Sequence, residues 1–143
     1  MKRMLYLYPL ILVAGVMWGC GSESDGLPPR APVSGTVTLD GEPLAFAMVT
    51  FHPDGEGNPG NASTREDGSY TVSTYHSQDG AIIGKHVVTV VRDLPPQMRR
   101  TASDSASIPK TYVSKKTSPL KYEVADSSNM IDIELSSKPE SGN

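Results

Sequence analysis

Three histidines, His52, His76 and His86, are the side chains best suited to metal binding or proton transfer in this chain. A zinc or iron centre needs several His, Cys or carboxylate ligands converging, with two of them usually close in sequence. The three stand far apart and no short ligand pair surrounds any of them, so each is expected as a polar strand or surface residue. Nucleophilic hydrolysis has no better candidate. The Gly-x-Ser-x-Gly elbow is missing, and the many serines fall in turn-like stretches without a partnered histidine. Asp54, Glu56 and Asn58 place oxygens at alternate positions of a glycine-rich loop, as the opening of a calcium loop does. The sixth position, which needs glycine, is Pro59, and the twelfth, which needs glutamate, is Arg65. Turn chemistry accounts for this loop, and neither a metal nor any other cofactor is expected.

Charge offers a second kind of chemistry. The chain carries 13 Lys and Arg against 16 Asp and Glu, a net charge of −3, which argues against a nucleic-acid footprint. Within that acidic background Arg99, Arg100, Lys110, Lys115, Lys116 and Lys121 fall on one stretch. Brought together in the fold they would attract an anionic glycan or a phospholipid headgroup, whereas exposed charges more than ~8 Å apart are largely screened. A sugar ring would need an aromatic platform, and Tyr75 and Tyr112 are the residues placed to supply one. Arg99, Arg100, Lys110, Lys115, Lys116 and Tyr112 therefore form the candidate binding set.

Cys20 is the sole cysteine, so no intramolecular disulfide can form. Its chemistry is set by what precedes it. Lys2 and Arg3 supply a positive start, and residues 4–19 are an apolar run short of the ~20 needed to span a bilayer, so residues 1–19 are expected to be an export signal. Met17-Trp18-Gly19-Cys20 resembles a bacterial lipobox. Gly19 and Cys20 match it, while Met17 and Trp18 stand where that pattern prefers leucine and a small residue. The resemblance implies that Cys20 becomes the acylated first residue of the mature protein, and two or more acyl chains give stable anchoring.

The elements that must carry these groups read as strands. The 12 Pro and 13 Gly point to a turn-rich β protein. Behind Cys20, residues 21–32 are polar and rich in Gly, Ser and Pro, as a flexible tether is, and at ~3.3 Å each they reach ~40 Å. From Val33, apolar and polar residues alternate: Val33, Gly35, Val37 and Leu39, then, past Asp40-Gly41, Leu44, Ala47, Val49 and Phe51. Period two puts these on one face of a sheet, and Asp-Gly supplies the positive φ of a type I′ turn, so residues 33–53 are expected to form a hairpin.

Two further hairpins are expected, one about Asp67-Gly68 with Tyr70 and Val72 inward, the other joining residues 121–124 to 130–135 through 126–129. In the last, Tyr122, Val124, Ile131, Ile133 and Leu135 share a phase. Residues 85–92, KHVVTVVR, form the most β-branched run and the expected central strand, with His86, Val88 and Val90 inward. Its outer face is expected to be covered by the long stretch 93–119, anchored by Ile108 and Tyr112. Residues 137–143 read as a disordered tail. About seven short strands punctuated by turns predict an all-β fold, a seven-stranded antiparallel β-sandwich over residues 33–136.

GTVTLDGEPLAFAMVTFHP, TREDGSY and GKHVVTV, in that order, resemble the prealbumin-like sandwich of transthyretin, carboxypeptidase regulatory domains and collagen-adhesin repeats. With the lipobox and IPKTYVSKKTSPLKYEV, the chain is similar to a group of small lipoproteins of planctomycete bacteria. The resemblance implies a transthyretin-like fold and a cell-envelope address, and it implies no activity. The expectation is a non-enzymatic envelope lipoprotein, held to the membrane by Cys20, whose domain contacts a protein through loops or a strand edge. A carbohydrate-binding module is the alternative, and a metal-binding or hydrolytic enzyme a more distant one.

Overall fold

The structure, a computed structural model, describes residues 26–92, 94 and 108–138. Cys20 with the expected export signal, and Arg99 and Arg100, lie outside the described residues. In chain order the first strands are β1 (Arg30–Ala31), β2 (Val33–Leu39), β3 (Glu42–Pro43), β4 (Ala47–Pro53), β5 (Gly60–Ser63) and β6 (Ser69–Thr71). There follow β7 (Ala81–Ile82), β8 (Gly84–Arg92), β9 (Lys121–Val124), β10 (Asn129–Met130) and β11 (Ile133–Leu135), with a single 3-10 turn at Lys110–Tyr112. No helix of the described residues is long and apolar enough to cross a membrane.

The alternation in β2 is realised as expected: Val33, Gly35 and Val37 are buried and Thr36 faces solvent. Asp40 (φ 52°) and Gly41 (φ 86°) both take positive φ, as a type I′ turn demands, and β3 pairs back with Leu39 opposite Glu42. The hairpin ends there. Phe46 adopts φ 55° and turns the chain, so β4 leaves for a second sheet in which it pairs along its whole length with β8. Thr64 makes this corner affordable, because its hydroxyl accepts the Ala47 N–H at 2.9 Å and its carbonyl the Phe46 N–H at 3.3 Å. The expected 33–53 hairpin is thus corrected: its arms face each other across the core instead of sharing a hydrogen-bond ladder.

The other two hairpins are corrected in the same way. Around Gly68 (φ 78°) the turn forms, but β5 pairs with β4 while β6 pairs with β2, and a bridge between Asn61 and Ser73 stitches the two sheets together on that side. Residues 126–129 form a crossover. β9 lies beside β8 at the edge of one sheet, whereas β10 and β11 run parallel to β2 in the other. An antiparallel seven-stranded arrangement therefore gives way to eleven short strands among the described residues, in sheets of two, five and four, with two parallel pairings. The all-β class holds.

Both larger sheets turn their apolar faces to one core. Val33, Val37, Ile133 and Leu135 from the five-stranded sheet meet Ala47, Val49, Phe51, Val88, Val90 and Val124 from the four-stranded one. Each large apolar side chain buried here contributes roughly 2 kcal/mol. Phe51 spans the layers, 6.2 Å from the Tyr70 ring and 5.9 Å from the imidazole of His86. His86, Val88 and Val90 all point inward, as the pattern predicted.

On the opposite face of β8 Thr89 is buried, while Val91 (41% exposed) and its register partner Met48 (39%) are not. Along this face Lys85 and Val91 are exposed on either side of the buried Thr89. Ile108 and Tyr112 do anchor their segment to the core. Ordered structure also exceeds the expected domain at both ends, since Arg30 and Ala31 of the expected tether form β1, and Ser137 of the expected tail donates its N–H to the Asp40 carboxylate at 2.9 Å.

Candidate functional site

The candidate binding set divides. Lys110, Lys115 and Lys116 are exposed on the 3-10 turn and the tight turn after it, where Ser114 holds the backbone by accepting the Thr117 and Ser118 N–H groups. Among the described residues no ion pair engages these three lysines. Lys115 reaches back across the surface to donate to the Pro53 carbonyl at 3.2 Å. Tyr112 is corrected: only 5% of it is exposed, its ring belongs to the core, and its hydroxyl accepts the Ser136 N–H at 3.3 Å. Its ring is no exposed platform, and the little of it that is accessible borders a separate cavity with Thr38, Glu134 and Ser136. Tyr75 is engaged as well, with the Arg30 guanidinium 5.1 Å over its ring and its hydroxyl accepting the Asn58 N–H.

Next to the basic turn lies a groove of about 310 Å³ along β9 and the adjoining half of β8, lined by Asp54, Lys85, Val87, Lys121, Tyr122 and Glu123 among others. Register explains the grouping. Lys85 is paired with Glu123 and Val87 with Lys121, so period two sets all four on one face, and the Asp54 N–H donating to the Lys85 carbonyl closes the end. Lys121, named with the basic stretch in the sequence, is thus joined to Lys85, which the sequence did not single out because it sits 25 residues before the basic stretch reaches Lys110. Tyr122 is half-buried, and its hydroxyl pKa is raised by that burial and by the nearby carboxylates of Glu134 and Asp132.

The histidines do not converge, and no group of three or more metal-capable residues forms among the described residues. His52 Nε2 lies 3.0 Å from the Thr89 hydroxyl. Loss of hydration in its half-buried place, with Lys115 and His86 nearby, lowers the His52 pKa below the ordinary 6.5. A basic imidazole beside a hydroxyl is the geometry of an activated nucleophile, but Thr89 is buried in mid-strand, out of reach of a substrate. His86 donates from Nε2 to the Ile82 carbonyl at 2.6 Å, and its buried Nδ1 has no hydrogen-bond partner among the described residues.

Two carboxylates that sequence reading passed over do more to shape the surface. Asp132 fills the gap between β10 and β11, accepting the Thr36 N–H at 2.9 Å and the Thr36 hydroxyl at 2.8 Å, and those bonds lower its pKa. Asp79 accepts the N–H groups of Thr74, Tyr75 and His76 at 2.7, 3.0 and 2.9 Å and meets Arg30 Nε at 2.9 Å. Burial pushes the Asp79 pKa up, but the three N–H bonds and the Arg30 charge outweigh it and the net shift is downward. An Asp before Gly80 in a polar loop, and one Arg framed by Pro29 and Pro32, were the available signals.

Comparison of the chain with protein-family models, with curated proteins and with solved structures finds no match.

Proposed function

We propose that the chain is a cell-envelope lipoprotein, anchored through acylated Cys20, whose domain is a transthyretin-like sandwich acting as a non-enzymatic contact module. The observation that carries this reading is the state of β9. Among the described residues it is the last strand of its sheet, it displays Lys121 and Glu123 to solvent, and a groove and the turn bearing Lys115 and Lys116 flank it. An open strand edge beside a groove is what strand addition uses: main-chain hydrogen bonds supply affinity and the flanking side chains supply selectivity. In the groove lining Lys85 and Lys121 balance Asp54 and Glu123, and Lys115 at the Pro53 carbonyl, with Lys116 next to it on the adjoining turn, adds the positive charge that favours a carboxylate-bearing partner segment.

Two experiments test the two halves of the proposal. Mass spectrometry of the mature N-terminus is expected to find acylated Cys20, and an unmodified start elsewhere removes the anchor. A photo-crosslinking residue at Glu123, compared in intact cells with one at Asn61 on the opposite edge strand, is expected to capture one protein preferentially. Equal or absent capture removes the strand-edge reading.

A further inference from the structure

Arg30 belongs to the stretch expected to hang loose, yet it is held on several sides. Its Nε meets Asp79 at 2.9 Å, its Nη1 donates to the Pro28 carbonyl at 3.0 Å, and its guanidinium covers the Tyr75 ring. Only 14% of the Arg30 side chain and 12% of Asp79 are exposed. The backbone on both sides is fixed too: Ala31 pairs with Ala81, and the Pro29 carbonyl accepts the Ile83 N–H at 3.0 Å. Ala31 passes so close over Gly80 that a β-carbon there would overlap its carbonyl. Since Thr74, Tyr75 and His76 already orient the Asp79 carboxylate, Arg30 inserts into a preformed socket.

We infer that residues 28–32 are a clasp that sets the attitude of the domain at the membrane. The end carrying loops 54–59 and 73–80 faces the phospholipid surface, and the turns at Asp40-Gly41 and Asp67-Gly68 face away. This rests on the proposed anchoring of Cys20. Seven residues, 21–27, then separate the lipid from the clasp, a reach of roughly 23 Å in place of the ~40 Å of a wholly loose stretch. β2 alone, running from the clasp to the far end, spans roughly 23 Å. An inverted domain would need the whole lead drawn out straight, which costs chain entropy, whereas the near-end-down attitude leaves it slack. Charge at the near end is mixed, with Asp54, Glu56 and Asp126 set against Lys85 and Lys115, so headgroup attraction is not what the attitude rests on.

The full-length acylated protein, in vesicles of phosphatidylethanolamine and phosphatidylglycerol with an acceptor dye on the headgroup, tests the orientation. A donor dye on Ser77→Cys is expected to transfer strongly and one on Glu66→Cys weakly, with the contrast reduced by Asp79→Asn. Equal transfer from both, with Cys20 acylated, overturns the clasp and spares the anchor, whereas an unmodified Cys20 overturns both. Without any lipid, trypsin is expected to cut the Arg30–Ala31 bond about tenfold more slowly in the unaltered chain than in Asp79→Asn. Arg30→Lys keeps the cleavage site while losing the guanidinium contacts, and serves if Asp79→Asn fails to fold. Equal cleavage rates in the unaltered chain and a folded variant overturn the clasp.

Discussion

The Tyr70 hydroxyl donates a 2.6 Å hydrogen bond to the Ile131 carbonyl, and it does so across Gly35, the residue opposite Tyr70 in the central strand. Gly35 has no side chain because the Ile131 carbonyl occupies the place where one would go. Three segments distant in sequence are thereby locked at one point. Burial raises the Tyr70 pKa far above its ordinary 10.0, so the hydroxyl keeps its proton and remains a donor at neutral pH.

Tyr70→Phe removes that donor and strands a buried carbonyl, at a cost of about 1–2 kcal/mol. Gly35→Ala drives a methyl into backbone and is expected to cost about 3 kcal/mol or more. Urea unfolding of both variants checks the order, and a smaller loss for Gly35→Ala contradicts the geometry.

His52 makes stability depend on mild acid. Its pKa is lower folded than unfolded, so the unfolded chain binds the proton first. The associated stability is complete above the unfolded value of about 6.5 and declines as pH falls through it toward the lower folded value. His52→Gln is expected to flatten the melting temperature between pH 7 and pH 5. An unchanged slope would mean another group titrates there.

Asp79 acts at lower pH. Its folded pKa is depressed below 3.8, so its contribution is complete above that value and is lost as pH falls toward the folded one. Asp79→Ala is expected to cost about 2 kcal/mol at neutral pH, the scale of hydrogen bonds to a charged group, and to blunt the acid transition below about pH 4. Calorimetric scans of the two proteins across that range decide it.

Replacing Lys110, Lys115 and Lys116 by Gln leaves stability within about 1 kcal/mol, since the three are exposed and in no ion pair among the described residues. What should fall is capture of the carboxylate-bearing partner, along with the salt sensitivity of that capture. A partner bound equally well by the triple variant would exclude the basic turn from the interface.

Lys121 and Glu123 also guard the edge they stand on. Charges on an edge strand discourage pairing between copies of a chain, so Lys121→Val with Glu123→Val is expected to convert a concentration-independent sedimentation profile into one showing self-association.

The inside and outside of the longer strands were legible in the amino-acid order alone. Burial of alternate residues is a local property: Val33 and Val37, Val49 and Phe51, His86 and Val88, and Ile133 and Leu135 all reach the core that their phase predicted. Turn chemistry was equally local, and Asp40-Gly41 bends as that dipeptide bends elsewhere. Choice of partner was not local, because a period of two fits any neighbouring strand equally well. Only the tertiary structure decided that Phe46 sends β4 to the second sheet, that β10 and β11 lie parallel to β2, and that Arg30 is drawn from a polar lead into the Asp79 socket. Each of those outcomes depends on groups far apart in the chain, which meet only once both sheets have closed on their common core.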